Sequence, residues 1–148
     1  MQVVHIYLGI DSKHPRRTEK TWAYVLECES RPGVIRNGFY VEECTYHEGI
    51  LKALIRAFER INQTCEIHIH TENQYVLNAL MNYLDGWIGK DFCNQKGQQV
   101  SEAWMEIYSH KKKHVIIPEP GKHEYSEWLA WMAKRTIESV EDIELKGE

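Results

Sequence analysis

The hydrophobic pattern of this chain changes period near residue 45, and that change limits its possible folds. Before it lie three stretches rich in β-branched and aromatic residues, at 3–10, 21–28 and 34–41. The links are short and polar. Residues 12–20 contain Pro15, and the second link carries Pro32 and Gly33 where a turn usually has them. Strands joined this closely form an antiparallel meander. After the change, Ile50, Leu51, Leu54, Ile55, Phe58 and Ile61 recur three and four residues apart, which predicts a helix over 45–62. Thr45 is placed to cap it, and Glu48 stands three residues later, as in a capping box.

Beyond this helix the pattern predicts a strand at 66–70 and a helix from about 73 to 84. An irregular stretch at 87–100 and a helix at 101–110 come next, then a short strand at 114–117 stopped by Pro118 and Pro120. A last helix is expected over 124–140, with Trp128, Leu129, Met132 and Ile137 on one side. The order βββαβαβα implies an α/β fold, a mixed five-stranded sheet with helices on both faces. The 148 residues suit one domain, expected over 1–140, with an acidic tail at 141–148. Ligands of such sheets gather beyond strand ends, where the strand order switches.

Hydrophobic content of 43% and charged content of 27% are ordinary for a globular protein. No apolar run approaches the roughly 20 residues of a membrane helix. The start lacks a basic segment followed by an apolar one, so no signal peptide, no membrane and a cytoplasmic setting are expected. Cys28, Cys44, Cys65 and Cys93 form no CxxC pair and read as reduced thiols. A net charge of −4 argues against coating nucleic acid indiscriminately. Local basic groups remain: Lys13, Arg16, Arg17 and Lys20 in one, Lys90, Lys96 and Lys111–Lys113 in the other. His68 and His70 share one face of a strand; with no third ligand at a telling spacing, they read as satisfied polar side chains.

Four acids, Asp11, Glu48, Glu72 and Glu127, lie at predicted strand ends or on helices beside them. Acids placed this way can converge on one point and hold hard divalent cations, which prefer oxygen ligands. Each also has a plainer role. Asp11 can start a turn, Glu48 fits the capping box, Glu72 suits a helix N-terminus, and Glu124 competes with Glu127 for the fourth place. Clustered carboxylates repel, so some are expected to titrate high when no metal is bound.

In order and in motif, these residues resemble the ribonuclease H family. Gly9-Ile10-Asp11-Ser12 is similar to the family's strand ending in Thr-Asp-Gly-Ser. Glu48 matches its helical Glu, and Thr71-Glu72-Asn73-Gln74-Tyr75-Val76 resembles Thr-Asp-Ser-Gln-Tyr-Val. Trp87, Lys90, Phe92, Val100 and Trp104 look like its basic protrusion. His123 to Ala130 resembles Asn-Glu-x-x-Asp-x-Leu-Ala. The likeness covers about residues 3–135. Glu72 and Glu127 stand where the family usually has Asp, Ser12 where it has Gly, and His123 where it has Asn.

The resemblance implies a metal-dependent endoribonuclease that hydrolyses the RNA strand of RNA–DNA hybrids. Two Mg²⁺ ions, or Mn²⁺, would stand roughly 3.5–4 Å apart. Asp11 would bridge them, Glu48 and Glu72 would bind one, and Glu127 would complete the other. Asn73, Gln74, Lys90, Lys96, Lys111, Lys112 and Lys113 are the implied nucleic-acid contacts, and His123 and Glu124 possible auxiliaries. The expected partner is the hybrid duplex, with no obligate protein partner. The alternatives are a nucleic-acid-binding module of the same fold with weak or no catalysis, and a nuclease of this fold that acts on DNA.

Overall fold

The computed structural model describes residues 1–94, 96–98 and 101–143. Strand β1 (Gln2–Ile10) runs through the middle of the sheet. It pairs antiparallel with β2 (Thr18–Cys28), which pairs antiparallel with β3 (Ile35–Cys44), forming the predicted meander. On its other side β1 pairs parallel with β4 (Cys65–Thr71), which pairs parallel with β5 (Val115–Pro120). The strand order is β5-β4-β1-β2-β3-β6, so the chain reverses its direction of growth beside β1.

The expected α/β sheet is present with one addition. A sixth strand, β6 (Val140–Glu141), pairs with Gly38 and Phe39 on β3. It exists because the last helix, α5 (Ser126–Arg135), ends earlier than the predicted 140. Thr136 turns to an extended backbone and returns its hydroxyl to the Met132 carbonyl at 2.8 Å. Ile137, assigned by pattern to the apolar stripe, is 89% exposed. The chain then returns to the sheet, where Arg60 grips both Asp142 oxygens at 3.0 and 2.9 Å and the Asn37 amide donates to the Ile143 carbonyl at 2.8 Å. Residues 144–148 of the acidic tail, and Val100 of the family-like stretch, lie outside the described residues.

Helix α1 (Tyr46–Glu59) covers one face of the sheet. Its Ile50, Leu51, Leu54 and Phe58 join Val4, Ile6, Leu8, Ile67 and Ile69 in the main core. Helix α5 covers the other face over a smaller cluster of Tyr7, Ala23, Val25, Phe39, Leu129 and Ala133. Two glycines set how closely these helices approach β1. A Cβ at Gly49 would stand 2.6 Å from Ile10 Cδ1, and one at Gly9 would stand 2.8 Å from Leu129 Cβ.

After β4 comes a helix in three parts: α2 (Gln74–Asn78), a π turn (Ala79–Tyr83) and α3 (Leu84–Ile88). The π turn leaves the Leu80 carbonyl available, and Lys111 at the end of α4 (Glu102–Lys111) donates to it at 2.7 Å.

Candidate active site

Parallel strands β1 and β4 end side by side, and each is followed at once by an acid. Asp11 follows Ile10, and Glu72 follows Thr71. Because Gly9 has no side chain, α5 lies directly on β1, and its first turn brings Glu127 to the same place. Asp11, Glu72 and Glu127 line one cleft of about 420 Å³, together with Lys13, Lys122 and Lys134. Gly9, Ile10 and Tyr46 form part of its wall.

Asp11 is the most firmly fixed of the acids. Its backbone N–H donates to the Thr21 carbonyl at 3.1 Å, and its Oδ1 accepts the Thr21 N–H at 3.0 Å. Glu72 accepts from Lys13 Nζ at 2.8 Å. Glu127 lies exposed in the first turn of α5. Glu124, the other candidate for the fourth place, is not among the residues lining the cleft and accepts the Tyr7 hydroxyl at 3.0 Å.

Glu48 is not among the residues lining this cleft. It completes the capping box, accepting the Thr45 N–H at 3.0 Å, while the Thr45 hydroxyl accepts the Glu48 N–H at 3.2 Å. Its other oxygen accepts from Arg17 at 2.5 Å. Burial raises its pKa, but the Thr45 N–H and the Arg17 guanidinium outweigh this and hold it below the usual carboxylate value. That is opposite to the upward shift expected of crowded acids.

The other expected contacts separate into exposed groups and groups bonded within the fold. Asn73 is 3% exposed; its side chain caps α2 by accepting the Val76 N–H at 2.9 Å and also bonds His47. Gln74 beside it is exposed. Lys90 and Lys96 line a second cavity of about 500 Å³ with Tyr83 and Trp87. Lys111 is tied to Leu80 and Asp85, and Lys112 stands over the Tyr108 ring at 4.8 Å. Lys113 precedes β5 at the end of the sheet away from the cleft, about 20 Å off at 3.3 Å per residue. His123 is not among the residues lining the cleft. Its ring bonds the Leu8 carbonyl at 3.0 Å and packs on Tyr7, and burial holds its pKa below the ordinary value.

Several residues of this region were missed by pattern reading. Lys20, grouped with the basic surface, is 1% exposed. Alternation along β2 was the available signal, since it puts Lys20 on the same face as Trp22 and Tyr24. Lys122 and Lys134, on either side of Glu127, also line the cleft. His68 bonds Glu119 and Glu66 at 2.8 and 2.7 Å, and His70 bonds His5 at 2.8 Å, so both are satisfied polar groups.

The RNase H family model matches residues 9–118, a span that includes Asp11, Glu48 and Glu72. The chain belongs to the RNase H family. A Campylobacter curvus protein named ribonuclease H is 29% identical over 97 residues, 64% of either chain. One from Campylobacter jejuni named ribonuclease HI is 30% identical over 96 residues, 64% of this chain and 62% of its own. The chain thus spans just under two thirds of these relatives. Among solved structures, LC9-RNase H1, described as a type 1 RNase H with the type 2 active-site motif, has a TM-score of 0.69 at 16% identity. The match covers 91% of this chain and 70% of that one. LC11-RNase H1, solved in complex with an RNA/DNA hybrid, has a TM-score of 0.58 at 16% identity, covering 88% of this chain and 95% of that one. At such identity these two establish the RNase H fold alone.

RNase H enzymes depend in general on divalent metal, so the donor set matters. The cleft offers carboxylate oxygens, and neither Cys nor His is among its lining residues. That chemistry fits Mg²⁺ or Mn²⁺ and is poor for softer ions. Among the described residues, no three His, Cys, Asp or Glu side chains are grouped closely enough to hold one ion. The donors therefore fit by kind and by shared cleft, while Glu72 and Glu48 are bonded to Lys13 and Arg17.

Proposed function

We propose that this chain is a metal-dependent endoribonuclease that hydrolyses the RNA strand of RNA–DNA hybrids, leaving 5′-phosphate and 3′-hydroxyl ends. One observation carries this reading: Asp11, Glu72 and Glu127 line a single cleft where β1 and β4 end, in a chain of the RNase H family. The hybrid seen with LC11-RNase H1 supports the choice of substrate.

Asp11, Glu72 and Glu127 would hold two Mg²⁺ or Mn²⁺ ions, and Glu48 would join them once Arg17 releases it. Bound there, the metal would supply charge neutralisation at the phosphorus and a water activated at neutral pH. The chain's own residues do the rest. Thr21 holds one Asp11 oxygen and so orients the carboxylate. Lys122 and Lys134 set positive charge beside a bound phosphate. Gln74, Lys90 and Lys96 are exposed where a duplex backbone can meet them, and contacts of that type position a duplex without reading its sequence. The glutamates at 72 and 127 are longer than aspartates by about one C–C bond, ~1.5 Å. The backbone must sit correspondingly further from the ions. A cytoplasmic setting agrees with the four free thiols.

The test is cleavage of labelled hybrid, duplex RNA and duplex DNA in Mg²⁺ and then Mn²⁺. Wild type is expected to cut the RNA of the hybrid. Asp11→Asn should lower that rate by more than about 10²-fold, beyond what outer partners of a metal site usually cost, with its melting curve unchanged. Binding of hybrid without cleavage in either metal would make the chain a binding module. Cleavage of DNA alone would make it a nuclease of another specificity.

A further inference from the structure

Two cations already sit on two of the acids, and both come from the link between β1 and β2. Lys13 donates to Glu72 at 2.8 Å and Arg17 to Glu48 at 2.5 Å. This link is held in shape. Lys20, 1% exposed, directs its ammonium protons to the Arg16 carbonyl at 2.6 Å, the Thr18 hydroxyl at 2.9 Å and the Cys44 carbonyl at 2.8 Å. The Ser12 hydroxyl accepts the His14 N–H at 3.2 Å, and His14 Nδ1 accepts the Arg16 N–H at 3.1 Å. A buried ammonium thus anchors the link from which both cations project.

We propose that the β1–β2 link is a built-in competitor for divalent metal: Lys13 and Arg17 hold Glu72 and Glu48 in the metal-free protein and must release them for metal to bind. The proposal rests on the metal-dependent reading above. Each pair gives its carboxylate a charge-assisted hydrogen bond that a bound metal must replace. The pairs are solvent-exposed, with the Lys13 side chain 60% and the Arg17 side chain 52% accessible. Exposed pairs of this type are worth a factor of no more than about five in an equilibrium. That is enough to raise the metal concentration required and too little to block loading. With these contacts made, the acids among the described residues are not grouped closely enough for one ion.

The test is a calorimetric Mn²⁺ titration of the whole chain without nucleic acid, so it does not depend on cleavage. Lys13→Met is expected to bind Mn²⁺ about two- to fivefold more tightly than wild type, and Lys13→Arg like wild type. Arg31→Met removes one positive charge at the opposite end of the sheet and should leave the affinity unchanged. Melting curves in chelator check that each variant folds, and Lys13→Gln replaces Lys13→Met if that variant does not. Equal affinity of Lys13→Met and wild type, with Asp11→Asn weakened, overturns the competitor and leaves the metal site standing. Equal tightening by Arg31→Met also overturns it, because general charge would then suffice. If no variant binds Mn²⁺, the metal-dependent reading itself fails and the competitor with it.

Discussion

On the α1 side of the central sheet, β1 and β4 present Val4, Ile6, Leu8, Ile67 and Ile69, all buried and aliphatic. On the α5 side the same two strands present His5, Tyr7, His68 and His70, bonded to Glu29, Glu124, Glu66, Glu119 and one another. Strand geometry permits this contrast because successive side chains point to opposite faces. The reason for it lies in what covers each face. Helix α1 lays a broad apolar stripe over its side, and water is excluded. The shorter α5 packs over β1 and β2, leaving the His68 side partly exposed, where the imidazoles bond carboxylates and one another. The dry face therefore holds the sheet together, while α5 is free to carry Glu127 to the strand ends.

The largest test of this contrast is on the dry face. Ile69→Ala removes a side chain with no exposure and should destabilise the protein by ~2–5 kcal/mol in denaturant unfolding. Cleavage per folded molecule should change little, because Ile69 touches no acid of the cleft. A cost under about 1 kcal/mol would mean that the face is not the main source of stability. Next comes the joint between the two regions. Gly9→Ala sets a Cβ 2.8 Å from Leu129, so α5 must move, at a cost of ~1–3 kcal/mol. Since Glu127 rides on α5, hybrid cleavage should fall by up to about 10²-fold. Unchanged activity would show that α5 does not position that acid.

The smallest effect belongs to the polar face and appears with pH. Burial, with His5 nearby, lowers the His70 pKa from 6.5 to about 4. The unfolded chain then binds the proton first as pH falls, so the His70 contribution is present above about 6.5 and lost toward 4. Burial also works against protonation of His68, but its bonds to Glu119 and Glu66 prevail and raise its pKa. Its contribution is present below about 6.5 and lost as pH rises through the raised value. The two windows adjoin, so the pair should give a stability that rises with pH from about 4, peaks near 6.5 and falls above it. Ring signals followed by NMR should show His70 neutral at pH 5 and His68 still protonated above the usual histidine midpoint. Titration of both near 6.5 would show that this face is as wet as an ordinary surface.

Elements with strong periodicity were readable in the sequence, and junctions were not. The capping box of Thr45 and Glu48 was legible because both partners lie within one turn. The end of α5 was not, because Ile137 continues an apolar spacing that only the return of β6 to the sheet overrides. The motif suggests Asn73 as a nucleic-acid contact, and only the fold shows that its side chain also caps α2 and bonds His47. Residue type alone puts Lys20 on the surface; two acceptors close in sequence, Arg16 and Thr18, and a distant one, Cys44, offset the cost of its burial.

By itself, the sequence determined the strand and helix order, the mixed sheet and the four candidate acids, because local periodicity and short motifs encode these. Only the tertiary structure decided which acids share a cleft and which cations reach them. Asp11, Glu72 and Glu127 come to line one cleft through parallel pairing of β1 with β4 and the close approach of α5 at Gly9. Lys13 finds Glu72 across 59 positions and Arg17 finds Glu48 across 31. Contacts over such separations depend on how the strands are ordered in the sheet, and no local spacing records that order.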